Sequence, residues 1–142
     1  MHCLFPPVLR SCPNFAPLLA ARCIQLTYEQ GLSPMACAGF GVFGMLLCNP
    51  LGHFEEGRQC VELGLQIMER FNASEMKCRL LVMTHGYCMP YTEPIINCLE
   101  PLIVAARSGN ITGDIDMSCL ALHLHCLGSF MAGDYLPELL VK

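Results

Sequence analysis

Gly52-His53-Phe54-Glu55-Glu56-Gly57-Arg58-Gln59-Cys60-Val61-Glu62-Leu63-Gly64-Leu65-Gln66-Ile67-Met68-Glu69-Arg70-Phe71 is the stretch that decides the fold class. Phe54, Gly57, Val61, Gly64, Leu65, Met68 and Phe71 fall at helical spacing and form one apolar stripe. Glu55, Glu56, Gln59, Glu62, Gln66 and Glu69 line the opposite side. Two acids in the first turn and Arg70 in the last complement the helix dipole. The spacing predicts a helix over His53–Phe71. Gly57 and Gly64 share a face and would let another helix approach closely, with Phe54 and Leu65 filling the gap beside them.

Working outward, the same helical period extends over most of the chain. A first helix is predicted from Leu18 to Gln30, stopped by Gly31. Ser33-Pro34 reads as an N-cap followed by a first-turn proline, opening a helix to Cys48. Asn49-Pro50-Leu51-Gly52 is a turn. Beyond Phe71, Asn72-Ala73-Ser74 breaks the chain, and a fourth helix runs from Glu75 to Cys88, ended by Pro90. Thr92 reads as the cap of a fifth helix that starts at Glu93 and ends near Ser108-Gly109-Asn110. Pro101 inside it predicts a kink or a break. Asp114 opens a sixth helix to Met131, and after Gly133-Asp134-Tyr135 a seventh begins at Leu136. Strand-like alternation is scarce. The expected fold is all-α: six to seven helices in antiparallel hairpins, stacked as a TPR-like α-solenoid. Residues 1–17 read as a Pro-rich irregular tail and residues 18–142 as the helical-repeat segment.

Composition narrows the function classes. The 142 residues suit one domain. With 54% hydrophobic and 14% charged residues, the chain is the reverse of a disordered one. A net charge of −4, without any Lys/Arg run, argues against nucleic acid. The longest uncharged run, between Glu29 and Glu55, is punctuated by Pro34, Pro50 and five glycines. The run from Met117 to Gly133 holds His123 and His125, and no basic cluster flanks either run. A membrane is therefore not the expected partner. Eleven cysteines, an odd number without any CxxC pair, sit mostly in apolar helical patterns. They read as reduced core residues of a cytoplasmic protein.

Two arrangements hint at chemistry. Gly39-Phe40-Gly41-Val42-Phe43-Gly44 matches GxGxxG, but no strand precedes it and the next lysine is Lys77, so it reads as helix packing through small residues. Cys119, His123 and Cys126 recur at i, i+4 and i+7 and are weak metal-ligand candidates that would need a fourth donor. The alternative is a core helix with packed cysteines. Nothing places a thiol beside a base and an orienting carboxylate. The expectation is a non-enzyme without cofactors.

Gly52-x-Phe54-x-x-Gly57 recurs in weaker form as Gly133-x-Tyr135-x-x-Glu138, 81 residues on, close to two repeat units of about 40. The repeat-packing residues are thus Gly52, Phe54, Gly57, Val61, Gly64, Leu65, Gly133 and Tyr135. The segment Gly52–Leu65 resembles the second helix of a tetratricopeptide repeat (TPR), although Met45 stands in the preceding helix where that repeat has a small residue.

A wider resemblance rests on Ala21-Arg22-Cys23-Ile24-Gln25-Leu26, Gly31-Leu32-Ser33-Pro34, Gly44-Met45-Leu46-Leu47-Cys48 and Gly52-His53-Phe54-Glu55-Glu56-Gly57. Glu69-Arg70-Phe71-Asn72-Ala73-Ser74-Glu75-Met76-Lys77 and Thr112-Gly113-Asp114-Ile115-Asp116 complete it. In this order they resemble the TPR-like helical region of large multidomain signalling ATPases of the STAND/AAA type. Those proteins join a serine/threonine kinase-like domain, an ATPase domain and a sensor histidine kinase or nucleotide cyclase. The resemblance implies a regulatory and interaction arm that binds protein partners or neighbouring domains. It carries no catalytic residue to this chain, which lacks Walker A, HRD and histidine-kinase motifs. The alternatives are a small membrane-associated helical protein, or a metal- or redox-responsive thiol protein. Without polar capping helices, the chain reads as an interior slice of an array and should self-associate when isolated.

Overall fold

Glycine, asparagine and proline set most helix ends in the computed structural model, which describes residue 11 and residues 13–133. A 3-10 turn over Pro13–Phe15 leads into α1, Ala16–Gln30, with Pro17 in the first turn where its missing N–H is harmless. α1 thus begins inside the stretch expected to be an irregular tail. α2 is Ala36–Cys48 and α3 is Phe54–Phe71. After a 3-10 turn at Ser74–Met76, α4 (Lys77–Leu81) passes directly into a π-helix, Val82–Cys88, and a 3-10 turn at Met89–Tyr91. α5 (Ile96–Thr112) and α6 (Ile115–Ala132) complete the described chain. The fold is all-helical, with six helices and no strand among the described residues.

Several helix ends differ from the sequence reading. Ser33 does not cap α2 with its side chain; its carbonyl accepts the Ala36 N–H at 3.0 Å instead. α5 starts three residues after Glu93, and the Thr92 hydroxyl donates back to the Met89 carbonyl at 3.3 Å rather than capping forward. α5 also runs unbroken through Pro101. Pro101 sits in the second turn, so the one bond it forfeits would have reached a first-turn carbonyl, where the helix has little to lose. The fourth helix changes to π geometry from Val82 and closes with the Met89 N–H on the Thr84 carbonyl, before Pro90 opens a 3-10 turn. Tyr135 and the expected seventh helix lie outside the described residues.

The links are short and mostly left-handed. Asn72 adopts φ 49° at the end of α3, and its N–H and that of Ala73 close the last turn on Glu69 and Met68. Gly113, at φ 80°, joins α5 to α6 with only Asp114 between it and the next helix. Such links fold consecutive helices back on each other.

Packing concentrates in two hairpins, α2 with α3 and α5 with α6, with the α4–π rod between them. Three core clusters meet on that rod. Leu80 belongs to the one with Cys37 and Ile67. Cys78, Leu81 and Val82 join Ala105, Ala106 and Ala121. Cys88 and Met89 join Val42, Met45, Cys48 and Val61.

The stripe of α3 is narrower than its sequence suggests. Gly57, Val61, Gly64 and Ile67 are buried, Leu65 and Met68 are half-buried, and Phe54 and Phe71 are exposed. Phe54 does not fill the inter-helix gap. Its ring stacks on Tyr91, with centroids 4.7 Å apart and planes 18° from parallel.

Candidate functional site

The glycines of α2 each face a different neighbour. A Cβ on Gly39 would lie 3.0 Å from the Cys23 Cβ of α1. On Gly41 it would meet Leu80 of α4 at 2.8 Å, and on Gly44 the Gly57 carbonyl oxygen of α3 at 2.7 Å. The reverse view from Gly57 gives 2.3 Å to Cys48 Sγ and 2.8 Å to the Gly44 oxygen. Gly44 and Gly57 thus bring two helix backbones into direct contact, and Gly64 would meet the Cys37 carbonyl at 3.1 Å. The GxGxxG stretch therefore lies within a helix and serves close packing.

Where α1 and α2 diverge from the Gly39–Cys23 contact, a groove of about 570 Å³ opens. Cys23, Leu26, Leu32, Met35 and Ala36 supply its apolar lining, and Thr27, Gln30 and Ser33 its polar edge. Among the described residues, no charged side chain lines it. A second cavity of about 410 Å³ shares Met35 and extends past Glu75, Met76, Arg79, Thr112 and Asp114. Here the Arg79 guanidinium grips Asp114 at 2.6 Å and 3.1 Å, tying α4 to the start of α6. Asp114 stands at the N-cap position of α6 but makes no side-chain cap bond, being turned to Arg79. Sequence reading named Cys23, Leu26, Gly31, Leu32, Ser33 and Gly39 for other reasons but did not join them into a groove, because a groove belongs to the gap between helices and leaves no periodic signal.

Seven of the thiols are held protonated by burial. Burial pushes Cys78 and Cys98 up to about 11, with Asp114 and Glu93 respectively adding to the effect. Burial also raises Cys23, Cys37, Cys48, Cys60 and Cys88, the last furthest, and a thiol–thiol hydrogen bond joins Cys48 to Cys88. Protonated thiols are poor nucleophiles and poor metal ligands. His85 is pushed down by burial, and its Nδ1 meets no partner among the described residues.

The candidate ligands on α6 point outward. Cys119, His123 and Cys126 are all exposed, so the expectation of packed cysteines in a core helix fails for these two thiols. The buried histidine is His125, whose Nδ1 lies 3.1 Å from the Leu99 carbonyl of α5. No group of three or more His, Cys, Asp or Glu side chains among the described residues is arranged to hold a metal ion.

The repeat-packing residues separate into distinct jobs. Gly57, Val61 and Gly64 form the α2–α3 contact, and Leu65 bridges to the clusters around Leu80 and Ala105. Gly52 (φ 71°) shapes the turn before α3, whereas Gly133 (φ 88°) ends α6. Comparisons with known protein families, with curated proteins and with solved structures find no match for this chain.

Proposed function

We propose that this chain is a non-catalytic helical-repeat module, TPR-like in arrangement, that binds protein partners or neighbouring domains as the regulatory arm of a cytoplasmic signalling ATPase or kinase. The observation that carries the interaction role is the uncharged groove between α1 and α2, continuous through Met35 with the cavity beside Arg79 and Asp114. Its occupant in this reading is an amphipathic helix. Apolar side chains at i, i+3 and i+4 would seat against Leu26, Leu32 and Met35, and a polar end would reach Glu75 and Arg79. Methionine suits such a role because its flexible thioether adapts to differing partners. The signalling context rests on the ordered motif resemblance alone.

The test is a fluorescence titration with a synthetic amphipathic helix carrying leucines at those spacings. Binding that weakens at least tenfold on Leu26→Glu, with unchanged circular dichroism, supports the reading. Equal binding by the variant, or none by the parent chain, overturns it.

One observation favours a second reading, a small membrane-associated protein. α6 spans 18 residues at a mean hydropathy of 1.3, long and apolar enough to cross a membrane, and 28% of it is buried. Flotation with lipid vesicles in place of peptide binding would favour that reading.

A further inference from the structure

The outward face of α6 is mostly apolar, with Asp116 and His123 as its ionisable residues. Ile115, Leu122 and Phe130 are 54%, 43% and 60% exposed, and Cys119, His123 and Cys126 are exposed between them. These six positions are separated by four, three, one, three and four residues, a spacing that reads the same from either end. An antiparallel pair of such helices, related by a two-fold axis between Leu122 and His123, sets each position against its mate. Ile115 meets Phe130 of the second copy, and Cys119 meets Cys126. Isologous interfaces need this kind of self-complementarity.

Charge points the same way. Asp116 is the only Asp, Glu, Lys or Arg in α6, so the face offers a charged partner almost nothing to recognise. In the antiparallel pair the two Asp116 carboxylates lie at opposite ends, about 20 Å apart at the helical rise. That exceeds the Debye length of about 8 Å, so they do not repel appreciably.

Area is sufficient as well. Ile115, Leu122 and Phe130, with the exposed Cys119, His123 and Cys126 between them, leave on the order of 500 Å² uncovered. A pair would bury about 1,000 Å², the lower bound for a specific interface. A membrane is the poorer match, because α6 would carry His123 and Asp116 into lipid and has no basic residue to meet the headgroups.

We infer that this face of α6 is the seam of an antiparallel homodimer of this chain. The seam shares no residue with the α1–α2 groove, so failure of the peptide titration leaves this inference standing.

The test is sedimentation of the purified full chain over a concentration series, followed by thiol cross-linking with the azo oxidant diamide. Forming one disulfide removes two electrons and two protons from two thiols, and the azo group takes them up to become a hydrazine. The expected result is a reversible dimer whose cross-link maps by mass spectrometry to Cys119–Cys126 between copies. Cys119→Ala should abolish that link, whereas a parallel pair would keep a Cys126–Cys126 link. Leu122→Glu should raise the dimer dissociation constant at least tenfold while leaving helicity unchanged. A monomer at every concentration, cross-links between like cysteines, an open ladder of oligomers or flotation with phosphatidylcholine vesicles would each overturn the inference.

Discussion

Both hairpins of this molecule pack closely at glycines, Gly109 and Gly128 in α5–α6 included, but α5–α6 adds polar pins between its helices. In α2–α3 the backbones touch directly: Gly44 and Gly57 face each other, and neither has room for a methyl group. In α5–α6 the helices are pinned by polar side chains. The Ser118 hydroxyl donates to the Ala106 carbonyl at 2.8 Å, with the Asn110 amide oxygen 2.9 Å away. His125 reaches Leu99, and Asp114 is held from outside by Arg79. Close backbone approach gives dense contact but tolerates no added volume. Polar pins tolerate volume but leave a buried group unpaired when one partner is lost.

The comparison breaks first at Gly57. Gly57→Ala puts a methyl 2.3 Å from Cys48 Sγ and 2.8 Å from a carbonyl oxygen, so the helices must separate. A loss of about 3 kcal/mol is expected, read by urea denaturation. A loss below about 1 kcal/mol would show that the contact has slack.

The second prediction cuts the external pin. Asp114→Ala should cost about 2 kcal/mol, because the pair is largely sheltered and hydrogen-bonded at both nitrogens. The readout is the urea midpoint, with greater hydrogen exchange at the start of α6 than in α2. Uniform exchange would erase the distinction between the hairpins.

Ser118→Ala removes an internal pin and should cost about 1 kcal/mol. Phe54→Ala removes only an exposed ring stack and should cost about 0.5 kcal/mol. If Phe54→Ala exceeded Ser118→Ala in thermal melts, the rim and not the polar pin would be the stronger tie.

Acidity sharpens the picture through two buried thiols, Cys78 on the rod and Cys98 on α5. Cys78 and Cys98 have folded values raised above the ordinary 9.0 to about 11. The folded chain therefore keeps protons that the unfolded chain releases above pH 9. Their stabilising contribution is complete below that pH and is lost as pH rises toward 11. Melting temperature should fall between pH 9 and pH 11, and less steeply in Cys78→Ala than in the parent chain.

Residues Gly31, Asn49 and Asn72 punctuate the sequence where helices end, so much of the fold was legible, whereas the fifth helix, read to end near Ser108-Gly109-Asn110, runs on to Thr112. Pro101 misled because a proline near a helix start costs too little to break the helix. α3 exposes its inner face through alternating charge, so the burial of Val61 and Gly64 was readable. α6 is apolar almost all round, and its pattern cannot say which side faces inward. Cys119 and Cys126 were misplaced for that reason. The groove was invisible because Leu26 lies on α1 and Met35 at the N-cap of α2, and they become neighbours only through the turn at Gly31–Met35.

The α4–π rod has a consequence for how the molecule comes apart. Leu80, Val82 and Cys88 each serve a different core cluster, so neither hairpin owns a complete interior. Opening either one strips the rod and exposes the interior of the other. A linear array sheds units from its ends one at a time. This arrangement couples both halves into a single cooperative transition, and a chain cut after Tyr91 would leave two pieces that each lack part of their interior.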